Sequence, residues 1–236
     1  MKYSYLECLA QLGVGGAHPG GLQLTKEMLE EELIDESMSI LDVGCGTGQT
    51  SAYIAKTYSS YVTSLDNNEV MVDKAKKRFT SAGLPIEVIK GNAEKLPFND
   101  NHFDMVLSES VVSFTNASLT LQEIKRVLKP GGIMLAVEMV LNTSLAKEEI
   151  DSLNNFYGFT QLLTEPEWDT CFQKAGFKEI SIKKYTKQID VDDLQNAPDF
   201  SLSEDIDEMY FELLEKHEYL TKANKDILGF RVFRCC

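Results

Sequence analysis

Apolar residues recur along the chain in two rhythms. Short apolar runs stand at 39–43, 61–65, 86–90, 103–108 and 133–138, with the length and composition of buried strands. Between them the period changes. Met71, Ala75 and Phe79 recur every four residues, and Leu121, Ile124 and Leu128 line a second helical face. Gly83 stops the first of these helices, and Lys129-Pro130-Gly131-Gly132 ends the second. A further helix is predicted over 49–58. Strands alternating with helices predict a parallel, doubly wound α/β sheet with right-handed crossovers.

The flanks read differently. Tyr3, Tyr5, Leu6 and Leu9 fall on one face of a short helix. A loop from Gly13 to Gly21 follows, with five glycines and one proline. Thr25 reads as an N-cap with Glu27 in the first turn, and Leu24 and Leu29 as a hydrophobic staple, for a helix to about 35. The alternation stops after 142. A helix rich in aromatics is predicted over 145–159, another over 165–175 stopped by Gly176, and a strand over 180–185. Ser203 reads as the cap of a long helix with Ile206, Met209, Tyr210, Leu213 and His217 on one side, before a last strand at 228–235. The expected organisation is one domain over 1–236. It comprises an N-terminal lid and helix (1–37), a ligand-binding core (38–140), a helical cap (141–166) and the rest of the sheet (167–236).

Composition narrows the partners. Net charge is −14, from 23 basic against 37 acidic residues, which repels nucleic acid and anionic lipid. No apolar run reaches membrane length. The five cysteines (Cys8, Cys45, Cys171, Cys235, Cys236) form no C-x-x-C pair, as fits a reducing cytoplasm. The vicinal pair Cys235-Cys236 is a poor chelate frame without further ligands.

Residues 41–50 read Leu-Asp-Val-Gly-Cys-Gly-Thr-Gly-Gln-Thr. Strand, glycine-rich turn and helix start is how a nucleotide-like ligand is received at the edge of a parallel sheet. A dinucleotide fingerprint requires Gly-x-Gly-x-x-Gly; counted from Gly44, Gln49 occupies the last position. The Gly-Lys-Ser/Thr ending of a P-loop is also missing. Asp-Val-Gly-Cys-Gly-Thr-Gly closely resembles motif I of the class I S-adenosylmethionine (SAM)-dependent methyltransferases. Gly91-Asn-Ala-Glu-Lys-Leu-Pro-Phe98 resembles that family's Gly-Asp-Ala-Glu-x-Leu-Pro-Phe stretch, and Phe103-Asp-Met-Val-Leu-Ser-Glu-Ser110 its fourth strand. Specific motifs cover roughly 38–140; the remainder matches by element order. The resemblance implies a Rossmann-like, seven-stranded sheet, mostly parallel, whose last strand inserts antiparallel between strands five and six.

It also implies a site. Gly44, Cys45, Gly46, Thr47 and Gly48 would pass close to SAM. Asp42 would reach the methionine amino group, and a buried Asp needs a partner in any case. Asp66, 22 residues after Gly44, would accept from the ribose hydroxyls, with Asn67 beside it. NAD carries the same ribose, so Asp66 alone does not separate the two cofactors. Asn92, with Ala93 and Glu94, would meet adenine where the family has Asp, or Asn92 is a turn residue. Ser108, Glu109 and Ser110 would lie at the open carboxyl edge, below the sulfonium. Glu109 is a catalytic candidate or a solvated loop acid. His18 is a base, a clamp on the methionine end, or a surface turn residue. The glycines around His18 suggest that 1–24 closes over the site, and that deletion of 1–21 leaves a folded core. The expectation is a cytoplasmic SAM-dependent methyltransferase of the type found in ubiquinone and menaquinone biosynthesis. It would act on a small molecule by in-line displacement, as monomer or homodimer, without a metal. The alternatives are an NAD-dependent oxidoreductase and a non-catalytic SAM-binding regulator.

Overall fold

The computed structural model describes residues 3–143, 145–185 and 199–236. A seven-stranded sheet in the order β3-β2-β1-β4-β5-β7-β6 forms its centre. β1 (Ser39–Val43), β2 (Tyr61–Asp66), β3 (Glu87–Lys90), β4 (Phe103–Glu109) and β5 (Leu128–Leu141) run parallel. β7 (Leu228–Cys235) is antiparallel between β5 and β6 (Ile180–Lys183), the insertion that the resemblance implies. The central strands are mainly apolar because both faces of the sheet are covered. On one side α5 (Ala117–Val127) and α7 (Glu165–Ala175) bring Leu121, Ile124, Trp168 and Phe172 against Val106, Met134 and Phe233. On the other, α2 (Gly21–Glu30) and α3 (Gln49–Tyr58) bring Leu24, Leu29 and Ile54 against Ile40, Met105 and Leu135. α4 (Glu69–Ala82) starts on the side chain of Asn68, which accepts from the backbone of Val70 and Met71, and stops at Gly83.

Three helices cap the carboxyl edge: α1 (Tyr5–Leu12), α6 (Lys147–Tyr157) and α8 (Met209–Ala223). Tyr5, Leu9, Leu153, Tyr157 and Phe159 pack there with Leu141 and Leu228, which mark the sheet's rim. The Tyr5 and Tyr157 rings meet edge-on at 5.0 Å.

Several boundaries depart from expectation, each for a tertiary reason. α2 begins at Gly21 behind a left-handed Gly20, so Thr25 is not its N-cap. Thr25 is buried inside the helix, and Leu24 and Leu29 face the sheet rather than staple the helix start. α8 begins at Met209, not after Ser203. Residues 199–203 instead run extended along 11–15 as a strap. Gly15 N donates to Asp199 O at 2.8 Å, Ser201 N to Gly13 O at 3.0 Å, and Ser203 N to Gln11 O at 2.9 Å. β5 is longer than 133–138 because β7 pairs with it as far as Leu141.

α1 is part of the core. Cys8, Ala10 and Leu12 are wholly buried, so deleting 1–21 strips an integral layer, contrary to the sequence expectation. Losing two buried leucines, Leu9 and Leu12, costs about 4 kcal/mol or more. The expected result is a melting temperature lower by about 10 °C or more. Scanning calorimetry of the truncated chain checks this; an unchanged transition would show α1 to be dispensable.

Candidate functional site

The carboxyl ends of β1, β2 and β4 and the loop after β3, closed by the N-terminal segment, enclose a cavity of about 400 Å³. Its floor is the turn after β1. Gly44, Gly46 and Gly48 all have positive φ (72°, 53° and 78°), where L side chains are strained. They differ in what a side chain would meet. A Cβ on Gly44 would strike Val111, and one on Gly48 the ring of Phe79, whereas one on Gly46 meets nothing among the described residues. The open side of the turn is therefore at Gly46, which lines the cavity. α3 begins here with no side-chain cap, leaving its first N–H groups available.

Asp66 braces the turn. Its Oδ2 accepts from Gly46 N at 2.9 Å and its Oδ1 from Asn68 N at 2.8 Å. Each carboxylate oxygen keeps a second lone pair. Burial holds its pKa above the usual carboxylate range despite those donors. Arg78 ties the same turn to the strap: it donates to Thr47 O at 2.7 Å and pairs with Asp199 at 2.6 Å.

Asp42 is buried under the turn, accepting from Ser51 Oγ, which in turn meets Ser64 Oγ at 2.7 Å. Burial pushes its pKa up to about 7, and Glu109 and Asp66 act in the same direction. The unfolded chain releases this proton near about 3.9. Between the two values the folded state binds more protons, so raising the pH destabilises it. The ligand-free protein is expected to lose stability from about pH 4 to pH 7, and Asp42→Asn to reduce that slope. Urea unfolding across the range measures it; equal slopes in both proteins would rule Asp42 out as the source.

At the end of β4 four side chains converge. Glu109 accepts from Thr25 Oγ1 at 2.6 Å and from Thr50 Oγ1 at 2.8 Å, and faces His18 Nε2 at 3.4 Å. The other ring nitrogen of His18 lies 3.2 Å from Pro19 O. The cluster joins the N-terminal loop, α2, α3 and β4. Glu138, wholly buried on β5, holds the adjoining loop. Its carboxylate accepts from Val111 N at 3.1 Å, Val112 N at 2.8 Å, Ser113 N at 3.1 Å and Ser113 Oγ at 2.6 Å, so it caps the 3₁₀ turn Val112–Phe114. Burial raises its pKa to about 7 against these donors.

Of the residues singled out in the sequence, His18, Asp42, Gly44, Cys45, Gly46, Thr47, Asp66, Asn67, Asn92, Ala93 and Glu109 line the cavity. Gly48, Glu94 and Ser108 are not among the lining residues. Gly48 packs on Phe79, Glu94 Oε1 accepts from Asn116 N at 2.8 Å, and Ser108 is buried in β4. Asn92 Oδ1 accepts from Glu94 N at 2.9 Å, forming a side-chain turn. Sequence reasoning set Ser110 at this edge but missed Thr25, Thr50 and Glu138 as site residues. Only Glu138 carried a signal, an acid inside an apolar run.

The turn, the acid that ends β2 and the strand order define a class I SAM-dependent methyltransferase fold. Residues 41–136 match the family described as "Methyltransferase domain". The chain is 39% identical over 231 residues to the "Uncharacterized methyltransferase YodH" of Bacillus subtilis (strain 168), spanning 97% of each. Phosphoethanolamine N-methyltransferase 2 of Haemonchus contortus, solved in complex with S-adenosyl-L-methionine, shares the fold. Its TM-score is 0.78 at 19% identity, over 100% of this chain and 57% of that one. The MccD protein superposes with TM-score 0.73 at 20% identity, over 93% of this chain and 98% of that one. The chain belongs to the SAM-dependent methyltransferases. Neither the NAD-dependent nor the non-catalytic alternative finds support in these likenesses. Among the described residues no helix is long and apolar enough to cross a membrane.

Proposed function

We propose that this chain transfers a methyl group from SAM to a small-molecule acceptor, with the cofactor along the ends of β1, β2 and β3. The observation that carries this reading is the bare face of Gly46 turned to the cavity beside the Asp66 carboxylate. When bound, SAM supplies a methyl group already activated by its sulfonium. The chain's own part is to bind, orient and exclude water.

In this reading Asp66 receives the ribose hydroxyls on its spare lone pairs, with Asn67 alongside. Asp42 lies on the side of the methionine amino group. Gly44, Cys45, Gly46, Thr47 and Gly48 shape the turn against which the methionine lies, and Ala93 borders adenine. The Asn92 oxygen is engaged with Glu94 N, so adenine meets an amide with one lone pair left rather than a full carboxylate; Glu94 acts by holding that loop. Ser108 supports the end of β4 from within the sheet.

Glu109 and His18 act as a clamp that fastens the N-terminal loop over the methyl. Glu109 already receives two hydroxyl hydrogens, and both ring nitrogens of His18 face oxygen. That arrangement supports positioning ahead of proton transfer. The N-terminal segment is read as the lid because Leu6, Leu9, Val14 and Ala17 border the cavity. The acidic balance and five unpaired cysteines support a cytoplasmic setting. The sterol and fatty-acid methyltransferases among its relatives support a small organic acceptor.

Calorimetric titration with SAM, alongside Asp66→Ala, tests the assignment. The variant removes two charged acceptors worth about 1.5–3 kcal/mol each, so affinity is expected to fall tenfold or more. Wild-type affinity in a folded Asp66→Ala protein would remove the ribose role, and no binding of SAM by the native chain would remove the reading itself.

A further inference from the structure

The order of strands separates the two ends of the cavity. Asn92, Asp66 and Gly46 stand at the carboxyl ends of β3, β2 and β1 in turn, so the next strand along, β4, ends on the methyl side. Ser110 stands there, one residue past Glu109. Its backbone is left-handed, with φ 57°, a conformation that costs a residue with a Cβ about 1–2 kcal/mol. Its Oγ is buried and has no hydrogen-bond partner among the described residues, although the residue lines the cavity. A strained backbone that carries a buried, unsatisfied hydroxyl in the wall of a cavity is the mark of a group waiting for a ligand.

Charge selects which ligand. Among the described residues no lysine or arginine lines this cavity. Lys74 and Arg78, on α4 beside the glycine turn, are committed elsewhere: Lys74 donates to the carbonyls of Gln11 and Ser201, and Arg78 holds Thr47 and Asp199. A phosphate or carboxylate would be buried there with no lysine or arginine of the described residues to pair it, at a cost of several kcal/mol. An ammonium fares little better. Among the described residues Glu109 is the one acid that lines the cavity at the β4 end, and it is already engaged by Thr25, Thr50 and His18. Around these groups the walls are apolar: Leu6, Leu9, Val111 and Phe114.

We propose that the methyl acceptor is a small uncharged molecule whose hydroxyl or thiol is met by the side chain of Ser110. This rests on the methyltransfer reading above. The bond from methyl carbon to the acceptor's oxygen or sulfur forms as the methyl–sulfonium bond breaks. The sulfonium sulfur keeps the bonding pair, and the acceptor's proton leaves to water.

The test uses the full chain saturated with S-adenosylhomocysteine, whose affinity is first measured by calorimetry. Failure at that step counts against the methyltransfer reading and not against the acceptor class. Thermal shift is then recorded with one phenylalkyl frame in five forms: phenethyl alcohol, phenethyl thiol, phenethylamine, phenylpropionate and phenethyl phosphate. The alcohol and thiol are expected to raise the melting temperature and the three ions to leave it unchanged. A shift from any ion equal to that of the neutral pair overturns the proposal, as does a panel in which neither neutral member binds. Ser110→Ala is expected to weaken the better neutral ligand about fivefold to tenfold, with S-adenosylhomocysteine affinity kept. Ser110→Gly relieves the backbone yet lacks the hydroxyl, so it should bind as weakly as the alanine variant. Native ligand affinity in either folded variant, or loss of S-adenosylhomocysteine affinity in either, overturns the role of Ser110.

Discussion

Gly46→Val is expected to reduce SAM affinity at least a hundredfold, about 2.7 kcal/mol, while leaving a folded protein. The two halves of that expectation have different causes. A Cβ at Gly46 touches nothing among the described residues, so the valine branches project into the cavity that the cofactor would share. The backbone there is left-handed, with φ 53°, so the substitution costs about 1–2 kcal/mol of stability, or a fall of several degrees in melting temperature. Gly44→Ala and Gly48→Ala reverse the balance, because their new atoms collide with Val111 and Phe79 and disturb packing. Calorimetry with SAM and a thermal melt on the three variants separate the effects. Tight SAM binding by a folded Gly46→Val protein would mean that the cofactor does not lie on this turn.

Glu138→Ala is expected to give the largest loss of stability among single side-chain changes near the site. It leaves the N–H groups of Val111, Val112 and Ser113 and the Ser113 hydroxyl without their acceptor, around residues that are almost wholly buried at Val112 and Ser113. Buried donors left unmade cost about 1–3 kcal/mol each. With partial relaxation the total is about 3 kcal/mol or more, and the melting temperature drops by about 10 °C. Glu138→Gln keeps the volume but turns an NH₂ group toward fixed N–H donors, so it should recover only part of the loss. Urea unfolding of the two variants measures this; native stability in Glu138→Ala would show that water replaces the carboxylate at no cost.

Much of this architecture is legible in the sequence, and what escaped has a common cause. The central strands β1, β4 and β5 announce themselves as mainly apolar runs because they are covered on both faces. The turn after β1 is legible because its glycines and its neighbour Asp42 are contiguous. Thr25 misled because a threonine ahead of a helical pattern looks like a cap. Its actual partner, Glu109, is 84 residues away, and no local rule can see it. Ser203 misled for the same reason: its amide is taken by Gln11 O, which draws 199–203 into a strap and delays the helix to Met209. Glu138 stood in plain view, an acid within Ile133–Leu141, but its purpose lies in a loop that precedes it by some 25 residues. The site's positive-φ glycines could be counted in the sequence, whereas which of them faces a ligand could not.

The grip of Glu138 bears on how this protein can change. It holds the loop after β4 chiefly by main-chain N–H groups, which every residue except proline possesses. Only the Ser113 hydroxyl is a side-chain contact in that grip. The side chains of Val111 and Phe114, which line the cavity, take no part in that grip. Replacements there can re-shape the wall of the cavity while the turn stays anchored from below. The task of holding the loop and the task of contacting a ligand fall to different atoms. Libraries randomised at Val111 and Phe114 with Glu138 and Ser113 kept constant should yield mostly folded proteins, and so offer a route to altered acceptor preference.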